Sequence, residues 1–190
     1  MEEEVKMHMS ELRQMPLSIE SLANKEDIIN QLINDYSDDI LHFVYTYVKS
    51  QTVAEDLTQE VLIKCYEKLH TFKQQSSIKT WAFRIASNHC KDYLRSWYYR
   101  KITLNEKILD FIPSKEKQVE DAVIQKDEET SLVNAVMTLP IKFREVIFLH
   151  YFEELTLSEI SNVTGVNVNT LKTRLKRAKE LVKSKIEEEV

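Results

Sequence analysis

The sequence predicts an all-α fold in which two small helical domains are joined by a flexible linker. Three observations predict it. One Gly and three Pro among 190 residues leave almost no turn chemistry for hairpins. Apolar residues recur at helical spacing through most of the chain, among abundant helix-forming Leu, Glu, Lys and Gln. A charged stretch with Pro113 interrupts that pattern once, in the middle. A hydrophobic fraction of 43% is enough for real cores on either side of the break.

Residues 1–24 show weak periodicity and contain Pro16, so they read as a loose leader. The first domain, 25–101, follows from amphipathic patterns over Ile28–Ile33, Ile40–Val48, Val53–Leu69 and Ile78–Tyr99. The linker spans 102–130. Asn105–Thr130 within it holds eight acids against four bases and suggests one short helix near Val119–Ile124. The second domain, 131–187, includes Pro140 in the first turn of a helix.

No run approaches the roughly 20 apolar residues that span a bilayer, and the start, MEEEVKMHMSE, is too acidic for a secretory leader. The chain is expected in the cytoplasm. Cys65 and Cys90 sit in helical patterns without ligand partners nearby, as reduced buried thiols would. His8, His42, His70, His89 and His150 fall in no metal spacing, and neither a phosphate loop nor a nucleophile motif is present. The expectation is therefore no enzyme, no cofactor, no metal and no small-molecule ligand.

Charge is distributed unevenly. Residues 1–40 carry a net charge of −7, whereas Val168–Ile186 carries +6 and Arg84–Lys101 carries +4, in a chain of net −5. A polyanion would be met at two separate basic blocks. The second of them belongs to LTLSEISNVTGVNVNTLKTRLKRAKELV. Here Thr156 and Glu159 form a capping box, Leu155 and Ile160 a hydrophobic staple, and Gly165 ends one helix before another starts near Val168. Leu171, Leu175, Ala178 and Val182 define its buried face. Ser161, Gly165 and Leu171 have helix-turn-helix spacing, which leaves Lys172, Thr173, Arg174, Lys176 and Arg177 to enter a major groove.

In the first block, Ala82, Ile85, Ala86, Cys90, Tyr93, Leu94 and Trp97 share an apolar side. Trp81, Arg84, Asn88, Lys91 and Arg95 line another face, suited to single-stranded or distorted nucleic acid: cations follow the backbone and an aromatic stacks on a base. FKQQSSIK, before it, reads as a loop. Upstream, Leu57, Val61, Leu62, Cys65 and Leu69 face a core, while Asp56, Gln59, Glu60 and Glu67 face outward. An acidic, amide-bearing face beside a basic one suits docking on a basic protein surface.

These residues resemble the sigma-70 factors of bacterial RNA polymerase, in particular the extracytoplasmic-function (ECF) group. The resemblance rests on AEDLTQEVLIKCYEKLHTF, SSIKTWAFRIASNHCKDYLR, LPIKFREVIFLHYFEELTLSEIS and VNVNTLKTRLKRAKELV, in that order, and covers about Asp27 to Ile186. It implies a sigma region 2 helical bundle and a sigma region 4 helix-turn-helix, and a transcription initiation factor that directs core RNA polymerase to promoters. Asp56, Gln59 and Glu60 match the patch that grips the clamp helices of the largest polymerase subunit. Phe72–Lys79 with Asn88 match the pocket for a flipped −10 base, and Trp81 and Arg84 the helix that helps separate strands. Lys172, Thr173, Arg174, Lys176 and Arg177 match the helix that reads the −35 element. A membrane-anchored anti-sigma factor is a further partner common in the group. The loop FKQQSSIK lacks the Gly usual in the family, and Lys176 stands where an aromatic often stands. The rival reading is a stand-alone helix-turn-helix regulator that binds duplex operators without polymerase.

Overall fold

The computed structural model describes residues 19–73, 75–107 and 128–189, and all regular structure among them is helical. Residues 1–18, which hold most of the expected leader, and the expected linker helix at 119–124 lie outside the described residues.

The first unit consists of α1 (Ile19–Val48), α2 (Gln51–Lys68) with a short 3-10 turn (Leu69–Thr71), and α3 (Ile78–Lys107). The two apolar patterns before residue 49 are one continuous helix, and it begins at Ile19, ahead of residue 25. The polar stretch between them, Asn34–Asp39, contains no helix breaker, so its side chains face outward or sideways while the backbone hydrogen bonds continue. The chain reverses into α2 at Lys49, whose φ of 56° is left-handed and whose N–H donates to the Tyr45 carbonyl at 3.0 Å. Ser77 starts α3: its Oγ accepts from the Thr80 N–H at 3.1 Å.

The second unit consists of α4 (Glu128–Thr138), α5 (Ile141–Ile147) continued by a π-helical turn (Phe148–Phe152), α6 (Leu157–Thr164) and α7 (Val168–Glu189). Pro140 is the N-cap residue of α5. Arg144 is buried beneath α4 and donates to the Met137 carbonyl at 2.8 Å, closing the α4–α5 corner.

The units pack on each other, α1 against α5 and α3 against α6. Their main core is continuous: Phe43 meets Tyr47 and Phe83 edge-on at 5.2 Å, and Phe148 of the second unit at 5.7 Å. A smaller cluster of Ala135, Val136, Leu139, Ile147, Ala178 and Val182 holds α4 and α5 on α7. On α3, Ala82, Ala86 and Cys90 are buried as expected and Ile85, Tyr93 and Leu94 are partly so, but Trp97 is 47% exposed. Phe83, outside the predicted stripe, is fully buried, because α3 is covered on one side by α1 and α2 and on another by α6. Both cysteines are free and buried; burial pushes each thiol up to about 12, with Glu145 a secondary cause at Cys90.

Candidate nucleic-acid interface

The helix-turn-helix is assembled from local devices. The Thr156 N–H donates to Glu159 Oε2 at 2.9 Å, and the Glu159 N–H donates to Thr156 Oγ1 at 3.3 Å, so the capping box is closed in both directions. These hydrogen bonds from Thr156 hold the Glu159 carboxyl below its ordinary range. Gly165 ends α6 at φ 72°, its N–H donating to the Ser161 carbonyl at 2.9 Å. A Cβ there would meet nothing within 4 Å, so torsion rather than space calls for Gly. Asn167 Oδ1 then accepts the Asn169 N–H at 2.8 Å in the turn that opens α7.

Leu171, Leu175, Ala178 and Val182 are buried, which turns the opposite face of α7 to solvent. Lys172, Thr173, Lys176 and Arg177 are exposed, and Arg174 is half-buried. Arg177 pairs with Glu180 at 3.0 Å. Sequence reasoning missed Asn169. It is exposed in the first turn of α7 and shares a stripe, at spacings of four and three, with Thr173 and Lys176 directly opposite the buried face. The signal that could have found it is the position itself, since a recognition helix meets base edges with its N-terminal residues.

The second basic face runs along α3. Arg84, Asn88 and Arg95 are exposed, Arg95 pairing with Asp92 at 3.3 Å. Trp81 is half-buried against Phe72, with ring centroids 5.5 Å apart, beside the short non-helical segment before α3. Lys91 behaves differently: it points to the second unit, 2.9 Å from Glu145 Oε1, and donates to the Thr164 carbonyl at 3.3 Å. Of the five residues aligned by spacing, the structure therefore leaves three open, packs one on a loop aromatic and engages one internally.

Asp56, Gln59 and Glu60 are all exposed on α2, where Ala54, Leu57, Thr58, Val61 and Cys65 are the buried residues. Glu60 Oε2 lies 2.8 Å from His89 Nε2 of α3, a charge contact without hydrogen-bond alignment. The acidic face is thereby fixed next to the basic one. Among the described residues no group of His, Cys, Asp and Glu could hold a metal, and no helix is long and apolar enough to cross a membrane.

A helix-turn-helix with a free polar stripe, a second basic face with an aromatic, and an acidic helix face alongside define a DNA-reading protein with two separate nucleic-acid surfaces and a protein-docking surface. Comparison with known proteins identifies the family. Residues 32–97 match the Sigma-70 region 2 model, and residues 129–182 match the Sigma-70, region 4 model. The chain is 32% identical over 157 residues to RNA polymerase sigma factor SigV of Bacillus subtilis (strain 168), covering 83% of this chain and 90% of that protein. It is 29% identical to ECF RNA polymerase sigma factor SigW of the same organism, covering 85% and 90%. Its fold is similar to that of the sigma factor RpoE of Bartonella quintana, solved with the anti-sigma factor NepR, at TM-score 0.65 and 22% identity over 85% of this chain and 98% of that one. The chain belongs to the sigma-70 family of RNA polymerase sigma factors, in its ECF group, and is a promoter-directing transcription initiation factor.

Proposed function

We propose that α7 reads the −35 element, that α3 with the segment before it captures and stacks bases of a melted −10 element, and that Asp56, Gln59 and Glu60 hold the largest subunit of core polymerase. The observation that carries this reading is the exposed stripe of Asn169, Thr173 and Lys176, amide, hydroxyl and ammonium, on a helix whose other side is locked into the core. Lys172, Arg174 and Arg177 flank it and neutralise phosphates, while the stripe donates to base edges. Trp81 offers a partly open ring for stacking, Arg84 and Arg95 follow the strand backbone, and the Asn88 amide reads a base edge.

The chain does no chemistry of its own in this account. Docking on polymerase supplies the scaffold that raises the effective concentration of two weak DNA contacts. Extruded −10 bases gain stacking that offsets the cost of unpairing, a few kcal/mol. The place of work is the cytoplasm, where polymerase and promoter DNA are. The RpoE neighbour, solved with an anti-sigma factor, supports a similar inhibitor for this chain, anchored in the membrane.

Asn169→Ala is expected to relax selection at one position of the −35 element where adenine is preferred, by about 5-fold to 150-fold, the worth of one bidentate amide contact. Lys172→Ala is expected instead to weaken all sequences alike and to lower the salt slope of binding by about one. Run-off transcription from a library randomised over the −35 region, sequenced at the products, separates the two. Equal loss at every position for Asn169→Ala contradicts base reading by that residue.

A further inference from the structure

The contact between the two units contains an arrangement that promoter binding does not use. Glu145 of α5 is buried, and its Oε1 accepts from three groups of the first unit: Tyr47 Oη of α1, Ser87 Oγ at 2.9 Å and Lys91 Nζ at 2.9 Å, both of α3. Lys91 also donates to Ser87 Oγ at 2.8 Å and to the Thr164 carbonyl at the end of α6. Further along, Lys79 of α3 donates to the Glu153 carbonyl at 3.1 Å and lies 3.0 Å from its Oε2, with the Glu153 side chain only 3% exposed. Both cations come from the helix of the second basic face, and both carboxylates come from the segment leading into the helix-turn-helix.

We propose that Glu145 and Glu153 form an internal latch that closes the two units on each other and withdraws Lys91 and Lys79 from DNA, so that promoter engagement requires the latch to open. The proposal rests on the reading of α3 as the −10 surface. Geometry makes the closed and promoter-bound states exclusive. With α3 packed on α6 and α6 on α7, each at an axis spacing of about 8–10 Å, the recognition helix passes within about 20 Å of α3 at closest approach. Elements centred near −10 and −35 are about 25 base pairs, or roughly 85 Å of B-form DNA, apart. The closed chain cannot span them.

The carboxylates suit a latch because their burial makes the contact conditional. A buried carboxylate with three donors is well held, but one whose donors leave must open to water, so the interface has two states rather than a continuum. Free polymerase or DNA then binds a chain only part of which is open, and apparent affinity falls by that fraction.

The test places spectroscopic labels on Ser96→Cys in α3 and Lys179→Cys in α7, both exposed, in the full chain; Cys65 and Cys90 are buried. Distance distributions are recorded for the free protein, for the complex with core polymerase and for Glu145→Ala. The expected result is a single short distance in the free protein, a long one in the complex, and at least a tenfold rise of the long-distance population in Glu145→Ala without polymerase. Glu145→Gln, which keeps an acceptor oxygen but not the charge, is expected to lie between. A long, broad distance in the free unsubstituted protein overturns the latch whether or not the variants fold. So does an unchanged short distance in a folded Glu145→Ala. The −10 reading is tested separately by promoter opening with Lys91→Ala: normal opening there with a normal distance response to Glu145→Ala removes Lys91 from the DNA surface and leaves the latch standing.

Discussion

Asp56→Arg combined with Glu60→Lys is expected to abolish transcription while leaving helicity and duplex binding unchanged. Asp56 and Glu60 are exposed on α2, flanked by Gln59, and none of the three belongs to the packed face of that helix. Reversing both charges places cations against a basic partner surface, and like-charge juxtaposition costs several kcal/mol. At 1.4 kcal/mol per tenfold, affinity for core polymerase falls by a factor of about a hundred or more. The substitution also removes the Glu60–His89 contact, so His89→Ala is the control. That control is expected to retain transcription, since it breaks the same contact without altering the exposed face. Fluorescence anisotropy with labelled chain and core enzyme reads the affinity. A double variant that binds core enzyme normally contradicts the assignment of this patch.

Phe43→Ala is expected to destabilise the fold by about 3–5 kcal/mol, the range for truncating a fully buried aromatic. Its side chain is 0% exposed and meets three aromatic rings from α1, α3 and the π-helical turn, so the cavity cannot be filled by movement of a single neighbour. Such a loss is a large part of the stability of a domain this size. Urea unfolding followed by far-ultraviolet circular dichroism measures it, and Ile63→Ala, at a 58% exposed position, is expected to change stability by about 0.5 kcal/mol or less. A loss below about 1 kcal/mol for Phe43→Ala contradicts the shared core.

The parts that could be read from the sequence are those specified locally. The Thr156–Glu159 box, the left-handed Gly165 and the stripe Leu171, Leu175, Ala178, Val182 depend on residues within a turn or two of each other, and the structure has each of them. The outward position of Asp56, Gln59 and Glu60 followed from the apolar residues around them in the same way. Periodicity did not show Phe83 as core, because a helix packed on two sides buries more than one stripe. Nor could it show that Lys91, in line with Trp81, Arg84, Asn88 and Arg95, turns to Glu145, since that partner lies in the other unit. Asn169 was missed because a polar residue at a helix start reads equally as a cap, a role that Asn167 performs.

Run-off transcription from fragmented genomic DNA, with this protein added to core RNA polymerase freed of other sigma factors, tests the central claim most directly. The account predicts discrete start sites that vanish without the protein, preceded by two common sequence elements at −10 and −35. Absence of start sites, with tight binding to duplex DNA by the protein alone at moderate salt, contradicts it and favours a stand-alone helix-turn-helix regulator.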